Sequence, residues 1–302
     1  MRNLTIKHLR YFTALARHGH FGRAAEVCAI SQPALSLQIK ELETITGVPL
    51  IERGARQTHL TPLGEEFAAR AQNILQAMDE LGDLARAASG DISGRLRLGV
   101  IPTVTPYLLP RLVKTLSARY PALDLQPRET VTRKLLDDLL AGSLDAAIVA
   151  LPTSEPSLHE EVLFDEDFVL VRPATDANRP VPSADMLREM RLLLLEEGHC
   201  FRDQALSFCS IDKMRARDLM EASSLATLVQ MVSAGIGVTL IPEMALEVET
   251  RGAKVTVSRL APPQPTRRIG MVWRRSNPLG RQLTQIAALV REVWSQSERP
   301  QH

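Results

Sequence analysis

The stretch "EEGHCFRDQALSFCS", residues 196–210, carries Cys200 and Cys209, two of the three cysteines among 302 residues. Thiols in such a pair support metal ligation, nucleophilic catalysis or redox chemistry. A zinc site calls for C-x-x-C or H-x-x-x-H spacing, which Cys200, Cys209, His199 and the distant Cys28 do not form. A cysteine hydrolase needs a base and an oxyanion site, and an adjacent His199 rarely has the required geometry. The redox reading rests on geometry. "CFRDQALSF" contains neither glycine nor proline, so it reads as a helix starting near Cys200. Over nine residues a rise of ~1.5 Å each separates the two Cα atoms by roughly 13 Å, whereas a disulfide spans only about 4.4–6.8 Å. Helix and disulfide exclude one another, so oxidation would have to refold the segment. A bond closing so short a loop contributes on the order of 2–3 kcal/mol, enough to bias a two-state element roughly a hundredfold. His199, Arg202 and a helix start favour negative charge on a nucleophilic sulfur, while Glu196, Glu197 and Asp203 oppose it. An inert buried pair remains the alternative.

The rest of the chain supplies what would position such a pair. At 302 residues, 45% hydrophobic and 24% charged, it is long enough for about two globular domains. It shows no apolar run of membrane-spanning length and no signal-peptide core, so a cytoplasmic setting is expected, in which thiols are kept reduced. Residues 1–62 hold eight Lys and Arg against four acids, although the whole chain is only +1. A basic N-terminal module on a slightly acidic body suits a nucleic-acid contact.

In that module Leu9, Phe12, Leu15 and Ala16 line one helical face ended by Gly19, and "FGRAAEVCAI" forms a second helix on which Cys28 reads as a small packed hydrophobe. A third helix begins at Ser31, a natural N-cap, with Pro33 in its first turn; Leu35, Ile39 and Leu42 face inward and Gly47 ends it. Gln32, Ser36, Lys40 and Glu43 form a separate polar face. "VPLIERGARQTHLTPLG" reads as two short strands with Arg53 and Arg56 near the tip of a wing. The pattern is an all-α winged helix-turn-helix over residues 1–62, whose third helix suits the major groove and whose wing arginines suit phosphates. Periodicity alone equally describes a three-helix core with a solvated basic face.

Residues 63–92 read as a linker helix with Phe67, Ala71, Ile74, Met78 and Leu81 at heptad spacing. Such a seam asks for a partner helix, hence a dimer and a roughly palindromic operator. Residues 93–302 alternate strand and helix, which suggests a mostly parallel α/β sheet. No glycine-rich phosphate loop follows the first strand, and no cofactor or metal is expected. Ligands of such sheets meet the carboxyl ends of strands, which nominates Thr103 and Thr132; either could instead cap a helix.

"FGRAAEVCAISQPALSLQIKELETITGVPLIERGARQTHLTPLG" resembles the DNA-binding domain of LysR-type transcriptional regulators, with Ala24 and Ala25, "SQPALS", "VPLIER" and "TPLG" in order. "IPTVTPYLLPRL", "EEGHCFRDQALSFC" and "SSLATLVQMVSAGIGVTLIP" extend the resemblance over nearly the whole chain, to the peroxide-sensing members of that family. The resemblance implies a periplasmic-binding-protein-like effector domain with subdomain I over 93–165 and 267–302 and subdomain II over 166–266. It implies Cys200 as the thiol that hydrogen peroxide oxidises and Cys209 as the one that closes the disulfide. Thr103, Thr132, His199, Arg202 and Asp203 would line or support the peroxide pocket. It further implies tetramers built from dimers and recruitment of RNA polymerase at antioxidant genes, with peroxide consumed stoichiometrically rather than by turnover. The basic segment "SIDKMRARDL" after Cys209 departs from the pattern and bears on disulfide stability. Two other functions remain: a regulator sensing a small metabolite in the inter-subdomain cleft, and a thiol peroxidase.

Overall fold

The computed structural model describes residues 3–52, 58–187, 189–208 and 220–296. Arg53, Arg56 and Cys209 lie outside these residues. The chain divides into two compact units, residues 1–85 and 86–302.

The first unit contains α1 (Ile6–His18), α2 (Phe21–Val27), α3 (Gln32–Thr46) and most of α4 (Pro62–Ser89). Thr5 caps α1 reciprocally: its hydroxyl accepts from His8 N at 3.3 Å, and its own N–H donates to His8 Nδ1 at 3.2 Å. Gly19 and Gly47 end α1 and α3 at φ 61° and 73°, a left-handed turn that glycine adopts at no steric cost. Phe12, Leu15, Ala24, Leu35, Ile39, Leu42 and Leu50 form the core. The wing is represented by one antiparallel bridge, Ile51 with Leu60. Gly64 lets α4 start against it, because a Cβ there would lie 2.1 Å from the Leu50 carbonyl oxygen.

The second unit is a mixed sheet with helices on its faces. Its elements are β1 (Gly94–Val100), α5 (Thr105–Arg119), β2 (Leu123–Glu129), α6 (Thr132–Leu140), β3 (Ala146–Leu151), β4 (Leu158–Pro173), α7 (Ala184–Leu187), β5 (Leu192–Leu195), α8 (Cys200–Phe208), β6 (Glu221–Ala222), α9 (Leu225–Ser233), β7 (Val238–Pro242), α10 (Leu246–Glu249), β8 (Val255–Arg259), β9 (Thr266–Arg274) and α11 (Gly280–Ser295). The strand order is β2-β1-β3-β9-β4-β7-β5-β6, with β8 also on β4. Parallel pairing holds within β2-β1-β3 and within β7-β5-β6, but β4 and β9 run antiparallel to their neighbours. The sequence expectation of a mostly parallel sheet is corrected accordingly: two long strands carry the chain between two cores and cannot share the direction of both. One core gathers Leu98, Ile148, Met271 and Leu283, the other Phe168, Leu193, Phe201 and Leu228. In β4, Leu158–Asp167 pairs with β9, whereas Phe168–Pro173 pairs with β7 and β8.

No helix among the described residues is long and apolar enough to cross a membrane.

Candidate functional site

The chain leaves the buried strand β5 and turns into α8 through Gly198, whose φ of +99° excludes side chains at ordinary cost. His199 follows, buried, and Cys200 is the first residue of α8, a half-buried free thiol. A helix start carries backbone N–H groups without helical acceptors and so favours developing negative charge. Burial pushes the His199 pKa below its usual value, with Glu196 and Glu129 pulling the other way. The imidazole is therefore neutral at pH 7 and able to share a proton.

Thr103 lies three residues past the end of β1, and Thr132, three past the end of β2, is the first residue of α6. With His199 and Cys200, and walled by Ile101, Pro102, Val131 and Phe201, they line one narrow crevice. Neither threonine is a helix cap: those positions belong to Val104 and Val131. Thr103 is held rigidly, its hydroxyl accepting from Arg267 Nη1 at 2.7 Å and its carbonyl from Nη2 at 3.1 Å. Arg267 in turn pairs with Glu166 at 2.7 Å, both side chains at most 1% exposed. Glu166 also accepts from Met244 N at 2.8 Å, and the guanidinium lies 5.6 Å from the Phe201 ring centroid. Thr132 differs: its hydroxyl oxygen is buried and makes no hydrogen bond. A buried polar atom left in this way costs about 1–3 kcal/mol.

Arg202 and Asp203, placed at the pocket by the motif, do not line it. Arg202 lies two residues along α8 from Cys200, roughly 200° around the helix; it donates to the Leu195 carbonyl at 2.9 Å and pairs with Glu221 at 2.6 Å. Asp203 is exposed. The arginine and glutamate that do brace the pocket, Arg267 and Glu166, escaped sequence reasoning. The available signal was local: in "TRRIGMVW" Arg267 holds an inward position of β9 whose neighbours along that face are apolar, while the adjacent Arg268 is exposed and pairs with Asp165. Among the described residues no three His, Cys, Asp or Glu side chains converge as metal ligands do.

In the first unit Ser31 caps α3, its hydroxyl accepting from Ala34 N at 3.4 Å. Gln32, Pro33, Ser36 and Lys40 are exposed along the helix. Glu43 leaves the expected polar face: its Oε1 accepts from Leu50 N at 2.8 Å and Ile51 N at 3.1 Å, tying α3 to the wing. Cys28 is the half-buried C-cap residue of α2, its pKa raised by desolvation. The heptad seam of α4 divides in two. Phe67 meets Phe12 edge-on at 5.5 Å and packs against its own unit's core, and Ala71 is buried. Ile74, Met78 and Leu81, joined by Leu84, are exposed.

Comparison with known proteins agrees with both units. Residues 6–65 match the model of the bacterial regulatory helix-turn-helix protein, lysR family, and residues 89–295 that of the LysR substrate binding domain. A probable hydrogen peroxide-inducible genes activator of Streptomyces viridosporus is 44% identical over 296 residues, covering 97% of this chain and 95% of that protein. The DNA-binding transcriptional dual regulator OxyR of Escherichia coli K12 is 40% identical over 291 residues, 95% of each. Among solved structures, a full-length OxyR substitution variant from Pseudomonas aeruginosa matches with a TM-score of 0.73 at 37% identity, covering 96% of this chain and 95% of that one. A peroxide-bound OxyR mutant from Corynebacterium glutamicum matches with a TM-score of 0.67 at 35% identity, covering 97% and 93%. Helix-turn-helix, effector domain and full-length likeness together make this chain a member of the LysR family of bacterial transcriptional regulators, within its OxyR group of hydrogen peroxide-inducible genes activators.

Proposed function

We propose that this protein is a DNA-binding transcriptional regulator that senses hydrogen peroxide through Cys200 and Cys209. The observation that carries the reading is the orphaned Thr132 hydroxyl in a narrow crevice shared with Thr103, neutral His199 and the Cys200 thiol. Sites for drug-sized metabolites occupy about 300–1,000 Å3, and this crevice is too narrow to admit one.

In the proposed reaction the Cys200 sulfur attacks one peroxide oxygen, the O–O bond breaks, and the departing hydroxide takes up a proton as water, leaving a sulfenic acid. Hydroxyls at Thr103 and Thr132 hold the two oxygens in line, and His199 supports proton transfer to the leaving one. The Cys209 sulfur then attacks the sulfenic sulfur and expels a second water. Two thiols lose two electrons and one peroxide becomes two waters, once per disulfide, so no turnover is expected. While α8 stays helical through Phe208 the bond cannot close, so oxidation unwinds it. That refolding is the signal.

The signal acts on DNA through α3, with Ser31, Gln32, Pro33, Ser36 and Lys40 at the duplex and Arg53 and Arg56 on phosphates. Exposed Ile74, Met78 and Leu81 pair the linker helices of two chains, setting two recognition helices on a roughly palindromic operator; dimers assemble into tetramers and engage RNA polymerase in the cytoplasm. Mass spectrometry after sub-stoichiometric peroxide should find Cys200 linked to Cys209, with an altered footprint on the protein's own upstream DNA. Two free thiols after exposure, or an unchanged footprint, would remove the reading.

A further inference from the structure

Leu37 has no role in the fold or in the polar reading of α3, yet it is 65% exposed on that helix. The inward stripe of α3 is Leu35, Ile39 and Leu42. At 100° per residue Leu37 lies roughly 190° from the middle of that stripe, on the outermost line of the helix. Its neighbours one turn away, Pro33 and Lys40, are exposed as well. The polar side chain beside it is engaged elsewhere, since Gln38 Nε2 donates to Glu41 Oε2 at 3.0 Å. Among the described residues of α3, Leu37 is the one large apolar side chain left in solvent.

The major groove offers such a side chain one apolar feature on its base edges, the C5-methyl group of thymine. We infer that Leu37 is a specificity-determining residue that selects a thymine in each half-site by packing on that methyl. The inference rests on the DNA-binding function proposed above. Burying one methyl-sized group is worth about fourfold in affinity, and two half-sites compound this to on the order of 15-fold for a dimer. A polar reader at the same helical position would distinguish bases by hydrogen bonding, so replacing Leu37 changes which base is chosen as well as how tightly.

The test uses duplex DNA enriched by the full-length protein from a random library, with each thymine replaced in turn by deoxyuridine, which lacks only the methyl. For the wild-type protein, one thymine per half-site should lose about fourfold in affinity on replacement. Leu37→Ala should bind the enriched site more weakly and be indifferent to deoxyuridine there, and Leu37→Arg should enrich guanine instead. Equal deoxyuridine penalties for wild type and Leu37→Ala at every position, or no thymine enriched, would overturn the role of Leu37 while leaving DNA binding intact. Failure of the wild type to enrich any sequence would overturn the DNA-binding reading itself. Both substitutions are at a solvent-facing helix position, and unchanged melting of the variants identifies an effect on recognition.

Discussion

Thr103 and Cys200 both line the same narrow crevice, but the two parts of its wall are held differently. Thr103 is fixed by two hydrogen bonds from Arg267, which is locked to Glu166 with both side chains out of water. Cys200 begins a helix of nine residues entered through a glycine. Its nearest charged brace, Arg202 with Glu221, sits on the far side of that helix, and Glu221 is 33% exposed. One part is a fixed reference strapped across β4 and β9; the other is a single short helix whose refolding would withdraw Phe201, Ala205 and Leu206 from the second core while taking no buried residue from the first. A peroxide switch needs that inequality, because the reacting geometry must be exact in one state and abandoned in the next.

The largest expected effect comes from deleting the chemistry at the start of α8. Cys200→Ser should abolish peroxide-dependent changes in the footprint while leaving reduced-state DNA binding within about twofold, as gel-shift titration would show. Next is the fixed wall: Arg267→Met leaves Glu166 buried and unpaired, and should cost about 3–5 kcal/mol in urea unfolding. The corresponding change on the other wall, Arg202→Met, should cost only about 1–2 kcal/mol, because water can reach Glu221; equal losses would contradict the difference between the walls. A smaller contrast separates the two threonines. Thr103→Val removes the acceptor of a buried arginine and should destabilise by roughly 1–3 kcal/mol. Thr132→Val removes an oxygen that has no partner and should leave stability unchanged or slightly raised, while slowing Cys200 oxidation in stopped-flow measurements. The smallest effect is that of pH. The His199 pKa is lowered in the folded protein, so the unfolded chain takes up its proton first as the pH falls. The stability is full above the unfolded value near 6.5 and declines below it. Melting temperatures from pH 7.5 to 5.5 should fall slightly less steeply for His199→Asn than for the wild type.

Much of this arrangement is written locally. The helix from Cys200 follows from a segment free of glycine and proline, and Thr103 and Thr132 follow from the rule that strand ends of α/β sheets meet ligands. The bracing pair was illegible because Glu166 and Arg267 are about a hundred residues apart and meet only when β4 and β9 align. Arg202 was placed at the pocket by the motif, but two residues along a helix from Cys200 it falls on the opposite side. A heptad spacing likewise cannot tell Phe67, packed on its own unit's core, and buried Ala71 from Ile74, Met78 and Leu81, left outside. Spacing records direction from the helix axis, while the partner at each height is decided by tertiary structure.

The unsatisfied oxygen of Thr132 has a consequence for anyone selecting hardier variants of this protein. A position kept below its own thermal optimum is one that directed evolution for heat tolerance will find and repair, and valine repairs it with nearly the same shape. With the role proposed for Thr132, the survivors of such a screen would be sturdier regulators that answer peroxide more slowly, and only a counter-selection for responsiveness would keep the threonine in the population.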